Sequence, residues 1–131
     1  MYNLYRDAFR TYRRYRLQVM ILEYLATEGS SKTRCPEAIL KMAPHYDKSL
    51  LWSSDITDIQ RAIRYLEKVE YTVYDEKSET ISITQSGICA LKDGSIQNLA
   101  NHAFGGLVSI HIQFFCIVIS LIALIISILK R

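Results

Sequence analysis

Arg6, Arg10, Arg13, Arg14 and Arg16 crowd the first sixteen positions of the chain, interleaved with Tyr2, Tyr5, Phe9, Tyr12 and Tyr15. Guanidinium groups among aromatic rings can track phosphates, whether of nucleic acid or of anionic lipid headgroups. The same segment can also serve packing. Tyr2, Tyr5, Phe9 and Tyr12 follow one another at steps of 3, 4 and 3, a short coiled-coil seam that docks on the domain or on a second copy. Elsewhere the reactive residues do not assemble. His45, His102 and His111 are not spaced with Cys, Asp or Glu as metal ligands. The sequence contains no phosphate-cradling glycine loop and no Ser/His/Asp or Cys/His arrangement. It points away from an enzyme and implies no catalytic residue, no metal site and no cofactor.

A different chemistry is written into the C-terminal quarter. No Asp, Glu, Lys or Arg occurs between Gly94 and Leu129, although charged residues make up 22% of the chain. Leu107 to Leu129 is 23 residues long and reads as a transmembrane helix. At ~1.5 Å per residue it extends ~35 Å, enough to cross a ~30 Å hydrocarbon core with some tilt. Lys130 and Arg131 follow, so the segment reads as a tail anchor. Within it Ser109, Gln113, Cys116, Ser120, Ala123 and Ser127 succeed one another at steps of 4, 3, 4, 3 and 4. That spacing places small and hydroxylated side chains on one helix face. Such a face lets helices approach closely in lipid, predicting self-association or a partner membrane helix. A plain lipid-exposed anchor, its serines bonded to their own backbone carbonyls, is the competing reading.

Charge and cysteine usage suggest the compartment. Residues 1–16 carry five Arg against Asp7, net +4, whereas residues 17–105 carry nine Lys or Arg against twelve Asp or Glu, net −3. The basic N-terminal segment favours a cytoplasmic domain and a single-pass membrane protein by the positive-inside rule. Cys35, Cys89 and Cys116 are an odd, scattered set, which fits reduced cytosolic thiols better than a disulfide framework.

These groups need elements to position them. Tyr2, Tyr5, Phe9, Tyr12, Tyr15, Val19 and Leu22 mark one face of a helix that runs to about Ala26, with Gly29 as its stop. Pro36 suits the first turn of a second helix reaching about Ala43, with Pro44 ending it. Ser53, Ser54 and Asp55 offer N-cap oxygens to a third helix. Ile56, Ile59, Ile63 and Leu66 form its apolar stripe and Asp58, Gln60, Arg61, Arg64 and Lys68 face outward. Tyr71–Tyr74 and Thr80–Thr84 are β-branched and aromatic, separated by the polar turn Asp75-Glu76-Lys77-Ser78-Glu79, and predict a hairpin. A last helix begins near Ser86 and extends, with a break near Gly94, toward His102. Gly105-Gly106 reads as a hinge before the membrane.

Helix, helix, helix, two-stranded hairpin, helix is an order that resembles a winged helix-turn-helix domain over about residues 16–92. The return from hairpin to last helix, Ile83-Thr84-Gln85-Ser86-Gly87-Ile88-Cys89-Ala90-Leu91, is similar to the family's hydrophobic-Thr-x-x-Gly-x-x-x-Leu pattern. The resemblance implies a mainly α fold with a two-stranded β-hairpin wing, followed here by one C-terminal transmembrane helix. It divides the chain into a basic aromatic extension (1–15), a winged-helix-like domain (16–92), a linker with a glycine hinge (93–106) and the span (107–129). It also implies that Gln60, Arg61, Arg64 and Lys68 are the groove-facing or partner-facing set of the third helix. The chain departs from the family in two places. Its wing, DEKSE, is net −2 where phosphate contact wants Lys or Arg, and Glu70 stands where the family often has Gly. DNA binding is accordingly expected to be weak.

Two functions of different classes follow. One is a tail-anchored winged-helix interaction protein, a regulatory or scaffolding component that meets a cytosolic protein partner or, as a membrane-tethered regulator, DNA. The other is a small membrane effector whose spans assemble and perturb the bilayer.

Overall fold

The computed structural model describes residues 2–27, 32–33, 35–46 and 55–129. The fold is mainly helical, with a small antiparallel sheet and one long apolar C-terminal helix. Helix α1 spans Tyr2–Ala26, unbroken across Tyr15 and Arg16. From Leu17 to Leu22 every residue is buried, Gln18 included, so this stretch is enclosed on all sides rather than along one stripe. The core gathers around it, with Ile39 and Ala43 of α2 (Pro36–Tyr46), Ile59, Ala62, Ile63 and Leu66 of α3 (Ile56–Lys68), and Ile81.

Helix α2 continues past Pro44 to Tyr46, where the sequence had pointed to a stop at the proline. Proline removes one ladder donor, but its fixed φ is helical, so the helix continues for two more residues before ending. Asp55 caps α3 by accepting the Asp58 N–H at 2.9 Å. The other two cap candidates, Ser53 and Ser54, and the expected stop at Gly29 lie outside the described residues. Ile56, assigned to the apolar stripe, sits at the start of α3 and is 38% exposed, and Ala62 takes its share of the core face.

Strands β2 (Thr72–Asp75) and β3 (Thr80–Ile83) form the expected hairpin, pairing Thr72 with Ile83 and Asp75 with Thr80. A two-residue strand, β1 (Lys32–Thr33), adds to the other edge of β3, giving the order β1-β3-β2. Two residues are too few for any period of two to register in a sequence.

The hairpin returns into α4 (Gln85–Lys92) through a compact knot. Thr84 N–H donates to the Tyr71 carbonyl at 3.0 Å, its hydroxyl donates to the Glu70 carbonyl at 2.6 Å, and the same oxygen accepts the Gly87 N–H at 3.1 Å. A Cβ on Gly87 would overlap the Tyr71 carbonyl and sit 2.8 Å from Ile83 Cγ1. The Thr-x-x-Gly spacing therefore joins helix cap to strand, with glycine required by close approach rather than by φ.

Gly94, at φ +65°, breaks the path between α4 and α5 (Ser95–Leu129). The expected hinge at Gly105-Gly106 is absent: α5 runs straight through both glycines as one helix of 35 residues. Two glycines cost helix propensity, but α1 packs along this part of α5 and holds it helical.

Candidate functional site

Two surfaces of α1 organise the chemistry. On the first, α1 lies antiparallel to α5, and its aromatic residues meet the start of the apolar segment. Tyr12 packs against Phe104 with ring centroids 5.4 Å apart, and Tyr5 stacks on His111 at 5.3 Å. Further along, the Arg16 guanidinium donates to Gln97 Oε1, and Gln97 donates on to Asn101 Oδ1 at 3.0 Å. Tyr5 also stacks with Phe9, and Arg13 lies over the Phe9 ring at 5.9 Å. Tyr12 is thus half-buried within the molecule, while Tyr5 and Phe9 keep 38% and 40% of their surface exposed. This contact brings the first turns of α1 level with residues 104–111, where the charge-free stretch becomes the candidate span.

On the second surface, α1 faces α3 across a cleft of about 620 Å³ lined by Arg10, Arg13, Arg14, Leu17, Gln18, Asp58, Arg61, Ala62 and Tyr65. Asp58 serves two guanidiniums, with Arg13 at 3.6 Å and Arg61 at 3.7 Å. Arg10 and Arg14 are exposed and have no carboxylate partner among the described residues. Four arginines therefore line a cleft whose one described carboxylate, Asp58, pairs with two of them. Two buried polar atoms of the lining residues lack hydrogen-bond partners among the described residues, Arg13 Nε and Gln18 Oε1, and Gln18 as a whole is only 1% exposed.

The five N-terminal arginines are consequently not equivalent. Arg13 and Arg16 are half-buried and engaged inside the molecule, whereas Arg6, Arg10 and Arg14 are exposed. The α3 set also divides. Gln60, Arg64 and Lys68 succeed one another at four-residue steps away from the core, whereas Arg61 turns toward α1 with Tyr65. The sequence carried no signal for the cleft itself, because its walls come from residues about 45 positions apart.

The α5 stripe is exposed throughout, at Ser109, Gln113, Cys116, Ser120, Ala123 and Ser127. At ~100° per residue it lies roughly opposite the face that carries Ile96, Ala100 and Leu107, which is buried against the domain. Docking of α1 therefore leaves the stripe open. The Ser120 hydroxyl donates to the Cys116 carbonyl at 2.8 Å, so its proton is already satisfied by its own helix. Ile117, Leu121, Leu124 and Ile128 are also exposed. An apolar hollow beside Tyr5 and His111 is walled by Ile110, Phe114 and Phe115.

Two carboxylates outside the span are held below their ordinary range. The Cys35 thiol, 2.9 Å away, and a backbone N–H lower that of Glu37. At the tip of the hairpin, the Ser78 hydroxyl at 2.8 Å and the Lys77 N–H at 3.0 Å lower that of Asp75. Among the described residues no group of His, Cys, Asp and Glu could hold a metal ion. No protein-family model, curated protein or solved structure matches the chain.

Proposed function

We propose that this chain is a single-pass membrane protein that presents a winged-helix-like interaction domain to the cytosol and assembles through α5. One observation carries the reading: α5 is long and apolar enough to cross a membrane, and the most apolar stretch is buried nowhere in the folded domain. A soluble core helix would be covered by its own protein. Because α1 packs along α5 as far as His111, the domain is held at the membrane surface rather than swinging from a hinge.

The winged-helix reading draws support from the element order. A short strand between α1 and α2 pairs with β3, and the Thr84–Gly87 knot closes the hairpin onto α4. The acidic wing and the acidic domain favour a protein partner over DNA as what the α3 surface meets. The basic face of α1 favours the cytosolic side. The open stripe on α5 favours a second membrane helix, identical or different. Each interhelical hydrogen bond in lipid contributes only ~0.6–2 kcal/mol, so close packing along the stripe must carry the association.

The reading is tested on the full chain. It should resist alkaline carbonate extraction, and replacing Ser120 and Ala123 with Leu should weaken self-association in a membrane reporter while Ile117→Ala has little effect. Oxidation should join two copies through Cys116. Recovery of the chain in the soluble fraction, or equal tolerance of both faces together with no crosslink, would contradict it. Rapid loss of membrane potential on expression would instead establish the bilayer-perturbing effector.

A further inference from the structure

We propose that the cleft between α1 and α3 is a binding site for a multiply charged phosphate group, borne either by a lipid headgroup or by a soluble phosphorylated molecule. This goes beyond the membrane-held interaction domain and does not depend on the winged-helix partner.

Charge is the first argument. Arg10, Arg13, Arg14 and Arg61 converge on one cleft, and among the described residues that line it Asp58 is the one carboxylate. Like charges gathered without counterions raise the free energy of the empty site, and an anion relieves it. Arginine suits phosphate in particular, since its planar fork donates two parallel hydrogen bonds to a pair of phosphate oxygens. Among the described residues, Arg10 and Arg14 have no carboxylate to release before they can do so.

Polar bookkeeping is the second. Buried polar groups ordinarily have partners, so an orphan calls for an explanation. At this cleft there are two, the Nε donor of Arg13 and the carboxamide oxygen of Gln18. Both lie just behind the cleft wall, so a rotation of the Arg13 or Gln18 side chain toward the cleft would bring them to a ligand oxygen or hydroxyl. A cleft of about 620 Å³ is also far larger than one phosphate, which leaves room for a ring or polyol beside it.

Position is the third. The Tyr12–Phe104 and Tyr5–His111 contacts bracket Arg10 along the helix axis. They set Arg10, at one end of the cleft, level with residues 104–111, where the candidate span begins, close to the depth at which headgroup phosphates lie beside the hydrocarbon. A lipid headgroup and a soluble phosphate can both reach it.

The test uses the full chain in nanodiscs of phosphatidylcholine, titrated with inorganic pyrophosphate, and in parallel the chain released from phosphatidylcholine vesicles doped with phosphatidylinositol bisphosphate, with retained lipid read by native mass spectrometry. Saturable pyrophosphate binding in the neutral nanodisc identifies a soluble source. Retained bisphosphate lipid with no pyrophosphate binding identifies a headgroup. In either arm the double substitution Arg14→Gln, Arg61→Gln should cut binding roughly tenfold or more, the loss of two charge-assisted hydrogen bonds. Arg6→Gln with Lys68→Gln removes the same charge outside the cleft and should cost no more than about twofold, the scale of screened surface charges. All four positions are exposed, so the fold should survive. Failure of both probes, equal losses in the two double variants, or equally tight binding of a hexaglutamate peptide would overturn the assignment.

Discussion

Glu70 shows how one residue can oppose the fold it belongs to. It follows α3 at φ 60°, in the left-handed region that disfavours a side chain. Its N–H still donates to Glu67 at 3.1 Å, and its carbonyl receives the Thr84 hydroxyl. Glycine would keep both bonds and remove the clash, so Glu70→Gly should raise stability by about 1 kcal/mol, seen as a higher melting temperature. Gly87→Ala should act the other way, losing about 1–3 kcal/mol by overpacking against Tyr71 and Ile83. A neutral Gly87→Ala would mean that the hairpin-to-helix knot is slack. Asp75 makes a prediction in pH. Its folded-state pKa lies below the ordinary aspartate value of ~3.9, so the stabilisation of the turn is present above that pH and is lost as pH falls through the folded value. A carboxyl titration followed by NMR should show the depressed pKa, and Ser78→Ala should move it back up. An Asp75 that titrates at or above the ordinary value would refute the turn geometry.

At the scale of elements, α5 is the unexpected one. Gly105 and Gly106 invite a flexible joint when read alone, yet they lie within a continuous helix, and a Cβ at either position meets nothing within 4 Å. Gly105→Ala and Gly106→Ala should therefore each stabilise the helix, by about 0.5–1 kcal/mol, without loss of membrane insertion. Increased helicity by circular dichroism in micelles would agree. Reduced insertion or lower stability would mean that the joint has to bend. Helix α1 carries a related lesson. Its 3-4-3 aromatic spacing was legible, but the spacing alone allows docking on the domain or on another copy. The rings of Phe104 and His111 account for Tyr12 and Tyr5 within one molecule.

For the whole molecule, the distribution of charge governs what can be bound. The wing is net −2, Arg61 is drawn toward Asp58, and Arg13 and Arg16 are engaged internally. That leaves Arg6, Arg10 and Arg14 as the readily available N-terminal cations. DNA binding by the full chain in neutral nanodiscs should be weak, with a log–log salt slope near −3 if those three meet duplex phosphates. Tight, sequence-specific binding abolished by Arg61→Ala or Arg64→Ala would restore a transcription-factor role.

Length, hydropathy and local pattern were enough to read the apolar C-terminal helix, the helices before it, the hairpin and Asp55 among the cap candidates of α3. Each of these depends on neighbours within a few positions, where periodicity and capping chemistry act. The stop placed at Pro44 and the hinge at Gly105-Gly106 went wrong for a shared reason, since local propensity is a weak bias that the surrounding helix and its packing can override. Burial of Leu17–Leu22 of α1 on every face, the pairing of β1 with β3 and the arginine cleft required the tertiary structure. They bring together residues tens of positions apart, such as Arg13 with Asp58 and Lys32 with Ile81, and no short-range pattern records which distant surfaces will close on one another.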